Sequence, residues 1–253
     1  MGVQDPAGCE AAPLSEVTDA GHLQASGAVD RCLIFTPDAI GKTFIRRYDS
    51  LFLRVRQYAP IEVSLRSVVP PKTPVCYASM FTGARPQTHG ITEYVRRAPA
   101  CESIFDVLDR EGLSAAIVAV EHSTMDTIFR PTGVDHFTEA YDEAVFDRTL
   151  ELIEADKHNL IVAYQQEYDD TLHREHPESA GAMEAVRRHV ESFASLAAAL
   201  KSAWSAHRYL IAFSPDHGAH HDPATGTGTH GDDVPDDMEV THFFGFGPEA
   251  RLT

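Results

Sequence analysis

Residues 209–218 read Tyr-Leu-Ile-Ala-Phe-Ser-Pro-Asp-His-Gly, an apolar run that ends in a carboxylate, an imidazole and a glycine. The segment Thr229-His230-Gly231 brings a second imidazole soon afterwards. The apolar run predicts a buried β-strand, and open α/β sheets place their binding sites beyond the carboxyl ends of such strands. Because carboxylates and imidazoles are ligands of Zn²⁺ and Mn²⁺, we expect a metal site here, with more ligands at other strand ends.

The rest of the chain alternates short apolar runs with longer amphipathic segments. The predicted strands cover residues 31–35, 61–69, 115–120, 160–164, 209–213 and 241–246, and the predicted helices cover residues 44–48, 103–109, 140–155 and 179–203. This alternation is typical of βα units and of a mainly parallel sheet. Right-handed crossovers place the helices on both faces of such a sheet. We therefore predict an α/β fold with a mainly parallel central sheet and helices on both faces.

The length of 253 residues suits one large α/β domain. Residues 1–29 are polar and rich in Ala and Gly without a sustained period, so we expect a loosely ordered N-terminal extension. Residues 30–253 contain no internal repeat and no linker. We expect them to form a single compact domain without a large cap.

The composition restricts the partners of the chain. A formal net charge of −17 argues against a nucleic-acid polymer or an anionic membrane, since both attract clustered Lys and Arg. Cys9, Cys32, Cys76 and Cys101 share no CxxC spacing. No leader-like segment and no run of roughly 20 apolar residues is present in the sequence. We expect a cytoplasmic protein with a small-molecule partner, and the sequence leaves homo-oligomerisation open.

Candidate ligands follow four of the predicted strands. They lie at Asp38, in the segment 72–91, at Asp169 and His173, and at Asp216, His217 and His230. Asp169 and His173 are four residues apart, so on a helical turn their side chains face the same side. Asp170 is an alternative for the carboxylate, and His176 is an alternative for the imidazole.

Thr73 stands directly before Pro74, and proline is favoured at the first position of a helix. Thr73 is therefore predicted as the N-cap of a helix, and Gly83 as its C-terminal stop. This arrangement aims a hydroxyl and backbone N–H groups at one point, as in an anion site. A capping threonine without chemistry is the alternative, but a nearby metal ion would activate the hydroxyl as a nucleophile.

Taken together, these segments resemble the alkaline phosphatase superfamily, and most closely its type I phosphodiesterase/nucleotide pyrophosphatase and phosphonoacetate hydrolase branch. The matching pieces are Asp38, Thr73, Thr82-Gly83, Pro86, His89-Gly90-Ile91, Asp169 with His173, Asp216-His217-Gly218 and His230-Gly231. They occur in the order of the family pattern and span residues 38–231, most of the chain.

The resemblance implies two divalent metal ions, Zn²⁺ in the first place with Mn²⁺ as the alternative. One ion would be held by Asp169, His173 and His230, and the other by Asp38, Asp216, His217 and the oxygen of Thr73. It further implies that Thr73 is the nucleophile and forms a phospho-threonine intermediate. The expected reaction is hydrolysis of phosphate esters, diesters or phosphoanhydrides. A phosphomutase-type isomerase and a catalytically silent metal-binding or regulatory protein are the alternatives.

The sequence departs from the pattern where the substrate phosphate is bound. The diesterase branch usually carries an asparagine shortly after His-Gly-Ile, whereas this sequence reads Thr92-Glu93-Tyr94. Recognition of a small phosphorylated or phosphonate substrate would then fall to Lys72, Arg85, Tyr94 or backbone N–H groups.

Five other residues resemble ligands or nucleophiles but receive no such role. His89 is interpreted as a structural residue that closes a loop. His220, His221 and Asp222 are interpreted as part of a solvated loop. Cys76 lacks the Cys-x-Pro-x-Arg context of a sulfatase nucleophile.

Overall fold

A computed structural model describes residues 1–24 and 28–248 of the protein, with the backbone alone for residues 21–24. The strands are β1 (Arg31–Pro37), β2 (Ile61–Arg66), β3 (Ala115–Val120), β4 (Asp135–Glu139), β5 (Leu160–Gln165), β6 (Tyr209–Phe213), β7 (His220–His221), β8 (Gly228–Thr229) and β9 (Glu239–Gly247). The helices are α1 (Ser15–Gln24), α2 (Lys42–Arg47), the 3₁₀ helix η1 (Asp49–Phe52), α3 (Leu53–Tyr58), α4 (Thr73–Thr82), α5 (Pro86–His89), α6 (Ile104–Arg110), α7 (Thr124–Thr127), α8 (Asp142–Ala155), α9 (Glu167–Leu172), α10 (Ala180–Ala203) and α11 (Pro235–Met238). Within the described residues, no helix has the length and apolar character needed to cross a bilayer.

Seven strands form one sheet in the order β2-β9-β6-β1-β5-β3-β4. The neighbours from β6 to β4 all pair in parallel, whereas β9 pairs antiparallel with both β6 and β2. The predicted mainly parallel sheet is confirmed. Strand β4 was not among the predicted strands, because it lies at the edge of the sheet and its residues are half-buried or exposed.

Helices cover both faces of the sheet, as the sequence predicts. On one face α3, α8 and α10 bury the larger core, where the ring of Phe35 lies 5.9 Å from Phe193 and 5.8 Å from Phe213. On the other face α4, α6 and α7 bury a second core, where Phe105 lies 5.1 Å from Phe81 and 4.9 Å from Phe129. Strands β3 and β5 are buried on both sides, which explains their uninterrupted apolar sequences.

The N-terminal residues contact the second face. Helix α1 contacts β2 and β9, and the backbone N–H groups of Glu10 and Ala11 both donate to the Gly83 carbonyl at 2.9 Å. Residues 25–27 of the predicted extension, like residues 249–253, lie outside the described part of the chain.

Three neighbouring strands at the centre of the sheet deliver the acidic residues predicted as ligands. Strand β1 leads directly into Asp38, β5 leads through one turn of α9 to Asp169, and β6 leads to Asp216. Because these strands are adjacent and parallel, their carboxyl ends meet at one edge of the sheet. This topology brings together residues that lie far apart in the sequence.

The start of α9 is held by two buried side chains. The backbone N–H groups of Gln166 and Glu167 donate to the two carboxylate oxygens of Asp142, at 3.0 and 2.9 Å. The next N–H, that of Tyr168, donates to Nε2 of His189 at 3.2 Å. The first amides of a helix have no partner within the helix, so these bonds satisfy groups that would otherwise be orphaned.

The same network closes on itself through Gln165. Because Nε2 of His189 accepts a hydrogen bond, its Nδ1 carries the proton and donates to Oε1 of Gln165 at 2.9 Å. The side-chain amide of Gln165 then donates to the backbone carbonyl of Asp142 at 2.9 Å. All three side chains are buried. The network fixes the helix that carries Asp169 and His173.

We predict that Asp142→Ala lowers the free energy of unfolding by about 1–2 kcal/mol, the usual cost of removing a helix cap. It should also accelerate hydrogen exchange at the amides of Gln166 and Glu167. Denaturant unfolding and hydrogen exchange measure the two effects. Ser103→Ala is the matched control, because Ser103 caps α6 but lies away from α9. Equal exchange at α9 in both variants would contradict the assignment of Asp142 as its cap.

Candidate metal centre

One group of buried side chains lies where β1 and β6 end. Ligand atoms of Asp38, Asp216 and His217 all lie within 4.8 Å of one another. Nε2 of His217 is 3.4 Å from Oδ1 of Asp38 and 3.4 Å from Oδ2 of Asp216. The hydroxyl of Thr73 lies 3.3 Å from the same Nε2. Four residues that the sequence analysis assigned to one ion therefore meet at one point.

In this group each carboxylate has one oxygen held by protein donors. The hydroxyl of Tyr164 donates to Oδ2 of Asp38. The backbone N–H groups of His217 and Ala39 donate to Oδ1 of Asp216, at 2.9 and 3.3 Å. The remaining oxygens, Oδ1 of Asp38 and Oδ2 of Asp216, are the ones that face the imidazole. Such outer hydrogen bonds orient carboxylates for a metal ion.

The imidazole of His217 is oriented in a comparable way. Its Nδ1 donates to the carbonyl of Gly218 at 3.0 Å, which leaves a lone pair on Nε2, the atom that faces the carboxylates and Thr73. The position after His217 must be a glycine, since a Cβ on Gly218 would lie 1.9 Å from the backbone oxygen of Asp236. The Asp-His-Gly sequence thus combines two ligands with a residue that permits close backbone packing.

A second group consists of Asp169, His173 and His230. Oδ1 of Asp169 lies 3.3 Å from Nε2 of His173 and 3.4 Å from Nε2 of His230, and the two nitrogens are 3.1 Å apart. Nδ1 of His230 donates to the carbonyl of Pro71 at 3.0 Å, so its Nε2 is the ring nitrogen that faces Asp169 and His173. The rings of His230 and His217 stack at 4.0 Å, so the two groups adjoin.

Three carboxylate oxygens without hydrogen-bond partners indicate whether metal ions fit these groups. Oδ1 of Asp38, Oδ1 of Asp169 and Oδ2 of Asp216 are buried and accept no hydrogen bond. A buried carboxylate oxygen without a partner is costly, and native proteins rarely keep one without a reason. Each of these oxygens faces an imidazole nitrogen, and mixed oxygen and nitrogen ligands suit Zn²⁺ or Mn²⁺. The residues present fit two cations, one for each group.

The charges in the site lead to the same conclusion. Burial, followed by the charge of Asp216, raises the pKa of Asp38, and burial with the charge of Asp169 raises the pKa of Asp216 to about 8. Burial lowers the pKa of His217. Burial alone would raise the pKa of Asp169 and lower that of His230. The hydrogen bond and the charge attraction between the two side chains outweigh burial, so the pKa of Asp169 falls and that of His230 rises to about 9. A cation would relieve the repulsion between these carboxylates.

Helix α4 begins one residue earlier than predicted. Thr73 is its first helical residue, Lys72 occupies the N-cap position, and no side chain caps the helix. Proline fits any position of the first turn, so Pro74 does not specify which neighbour is the cap. The prediction that Thr73 is the N-cap is wrong, and its hydroxyl is free to face His217. The predicted stop is confirmed, because Gly83 has a φ of 67° and ends the helix.

Both groups border a cavity of about 390 Å³. Lys72 and Tyr94, predicted to bind substrate, line it. Arg85 does not; its exposed guanidinium pairs with Glu10 at 3.2 Å. Arg96 lines the cavity and was missed by the sequence analysis, because nothing local distinguishes it from the surrounding arginines.

The rivals for the second group have other partners. Asp170 accepts hydrogen bonds from Tyr141 at 2.9 Å and from Gln166 at 3.2 Å. The ring of His176 contacts that of His221, with their centroids 4.4 Å apart. Neither joins Asp169 and His173 in the ligand group.

The residues interpreted as structural make local contacts. His89 is fully buried; its Nε2 lies 2.9 Å from the Ser79 hydroxyl, and its Nδ1 accepts from the N–H of Ile91. Nδ1 of His220 pairs with the carboxylate of Asp237 at 2.7 Å.

Comparisons with known proteins identify the family and the fold. The family model described as type I phosphodiesterase/nucleotide pyrophosphatase matches residues 59–244. Murine ectonucleotide pyrophosphatase/phosphodiesterase 5 is similar in structure, with a TM-score of 0.61, 18% identity, and coverage of 77% of this chain and 59% of that chain. Phosphonoacetate hydrolase from Sinorhizobium meliloti 1021, in complex with phosphonoformate, gives a TM-score of 0.57, 15% identity, and coverage of 78% and 59%.

These structural likenesses show a shared fold, and the chain spans less than two thirds of the length of either structure. A search of curated proteins finds no significant match. The match to the family model extends over most of the chain and includes Thr73, Asp169 and Asp216. The resemblance to the alkaline phosphatase superfamily is confirmed, and the chain belongs to the type I phosphodiesterase/nucleotide pyrophosphatase family.

Proposed function

We propose that this protein is a two-metal hydrolase of phosphate esters, diesters or phosphoanhydrides that reacts through a phospho-threonine on Thr73. One observation carries the proposal: three buried carboxylate oxygens without hydrogen-bond partners face imidazole nitrogens, and one of these nitrogens, Nε2 of His217, lies 3.3 Å from the Thr73 hydroxyl. Membership of the phosphodiesterase/pyrophosphatase family supports this reading. A variant of the murine neighbour with a threonine replaced by alanine is inactive and forms a complex with AMP.

Two divalent ions, Zn²⁺ or Mn²⁺, would supply the positive charge that stabilises the attacking and leaving oxygens of an in-line displacement. The residues that would hold them are Asp38, Asp216, His217 and Thr73 for one ion, and Asp169, His173 and His230 for the other. Tyr164 and the carbonyls of Pro71 and Gly218 would keep these ligands oriented.

In the proposed reaction the Thr73 oxygen gives up its proton and forms a bond to phosphorus. The bond from phosphorus to the leaving oxygen breaks, and the leaving group keeps the electron pair and takes up a proton in place of the one that Thr73 released. Water then attacks phosphorus, the bond to the Thr73 oxygen breaks, and the hydroxyl is restored. Thr73 suits this role because its side chain is buried and lies in the first turn of α4. Its hydroxyl does not cap the helix and is therefore available for chemistry.

The proposed substrates are small phosphorylated or phosphonate molecules. Lys72, which directly precedes Thr73, and Tyr94 line the cavity and would bind the phosphate. The two structural neighbours form complexes with AMP and with phosphonoformate, which supports a small ligand here. A screen of the metal-loaded protein against chromogenic phosphate monoester, diester and phosphonate substrates tests the proposal, and no turnover on any of them would favour a silent metal-binding protein.

We predict that the protein reconstituted with Zn²⁺ holds about two ions per chain, as expected for a two-metal site. His173→Ala and His217→Ala should each lose about one ion, because they belong to different groups. His176→Ala is the matched control and should keep both ions. Elemental analysis after dialysis measures the content. Fewer than one ion in the unaltered protein would overturn the two-metal proposal.

We predict that Thr73→Ala lowers kcat by about 10⁴-fold or more, as removal of a nucleophile does in other hydrolases. Metal content should stay close to two ions per chain, because six ligands remain. Thr73→Ser keeps a hydroxyl at the same place and should retain measurable turnover. Steady-state kinetics and trapping of a phosphorylated residue measure these effects. Unchanged activity in Thr73→Ala would remove Thr73 as the nucleophile.

A further inference from the structure

Two cationic side chains, Lys72 and Arg96, line the cavity next to the metal centre. Neither forms an ion pair with any carboxylate in the part of the chain that the structure describes, whereas several other arginines do. Arg85 pairs with Glu10, and Arg130 pairs with Asp126. In a protein with a net charge of −17, acidic partners are plentiful. Two cations that face a cavity without such partners mark a place for an anion.

Arg96 is held in place by neutral acceptors. Its Nη1 donates to the backbone carbonyl of His122, and its Nη2 donates to the hydroxyl of Tyr94 at 3.1 Å. The guanidinium also lies over the Tyr94 ring, 5.7 Å from its centroid. These contacts orient the side chain but leave its charge uncompensated. A guanidinium has five N–H donors, so a fork remains that matches the oxygens of a phosphate or carboxylate.

The two cations are held by different parts of the chain. Lys72 adjoins Thr73 and packs beside the His230 loop, since a Cβ on Gly231 would lie 3.0 Å from Cε of Lys72. Arg96 is tied instead to the loop that follows β3, through the carbonyl of His122. A phosphoryl group placed for attack by Thr73 therefore has its own cation in Lys72. Arg96 is then available to bind a second anionic group.

We infer that Arg96, oriented by Tyr94, binds a second anionic group of the substrate, a phosphate or a carboxylate. The inference rests on the proposed function and narrows its range of substrates. The preferred substrates carry two anionic groups, as phosphoanhydrides and carboxylate-bearing phosphonates do, and simple esters with a neutral leaving group bind less well.

Calorimetric binding to the Zn²⁺-reconstituted protein tests this inference without turnover. Ethylphosphonate carries one anionic group, whereas 3-phosphonopropionate adds a carboxylate and methylenediphosphonate adds a phosphonate. We expect the two larger ligands to bind more tightly than ethylphosphonate. Arg96→Met should reduce that preference about ten- to hundredfold, the usual effect of losing hydrogen bonds to a charged group, and should leave ethylphosphonate binding nearly unchanged.

Arg97→Met is the matched control, because it removes the same charge from the neighbouring residue. Arg97 donates to the carbonyl of Gly90 and does not line the cavity. It should keep the full preference, and Arg96→Lys should keep part of it. Metal content is measured after each titration, so that loss of ions is not mistaken for loss of binding.

The inference would be overturned by an unchanged preference in Arg96→Met, by an equal loss for all three ligands, or by an equal effect of Arg97→Met. Failure of the proposed function looks different, because the unaltered protein would then hydrolyse none of the screened substrates. A protein that turns over phosphate esters but shows no preference for a second anionic group would refute this inference alone.

Discussion

Repulsion between like charges at close range is the constraint on which this structure depends. Asp38, Asp169 and Asp216 bring three carboxylates to adjacent strand ends, and each has a buried oxygen without a hydrogen-bond partner. The neighbouring imidazoles offset this charge on one side only, since the pKa of Asp169 is lowered while those of Asp38 and Asp216 are raised. A group of buried carboxylates arranged in this way is favourable only with additional positive charge between them.

The surrounding fold fixes the ligands so that a cation would have a defined position between them. Several ligands are held by a hydrogen bond to one of their two polar atoms: one oxygen of Asp38 accepts from Tyr164, and Nδ1 of His230 donates to the Pro71 carbonyl. The second polar atom of each of these two side chains faces the other ligands. Because the holding partners come from different strands and loops, no single segment builds the site. Its geometry depends on the packing of the whole sheet, including the buried Asp142 network that starts α9. Ligands fixed in advance lose little freedom when an ion binds.

Much of this arrangement could be predicted from the sequence. The central strands were visible because strands buried on both faces must be apolar throughout, and the family resemblance implied how the Asp, Thr and His residues group. Strand β4 could not be recognised, since a half-exposed edge strand has no such pattern. The start of α4 was misplaced by one residue because proline is compatible with several positions of a first turn. Arg96 carries no local signal; its place depends on a hydrogen bond to a loop 26 residues away in sequence.

The charge of the whole protein cannot explain how an anionic ligand would be selected. A net charge of −17 repels anions, but at physiological ionic strength that repulsion is screened over about 8 Å. Within this distance the nearest charges determine whether an anion is attracted. The cavity is lined by acidic ligands and by two cations, Lys72 and Arg96. Bound ions would neutralise the acidic ligands, and the balance at the cavity would then be positive. Selection of an anion is therefore a local property of the metal centre and its rim, and it is compatible with a strongly acidic surface elsewhere.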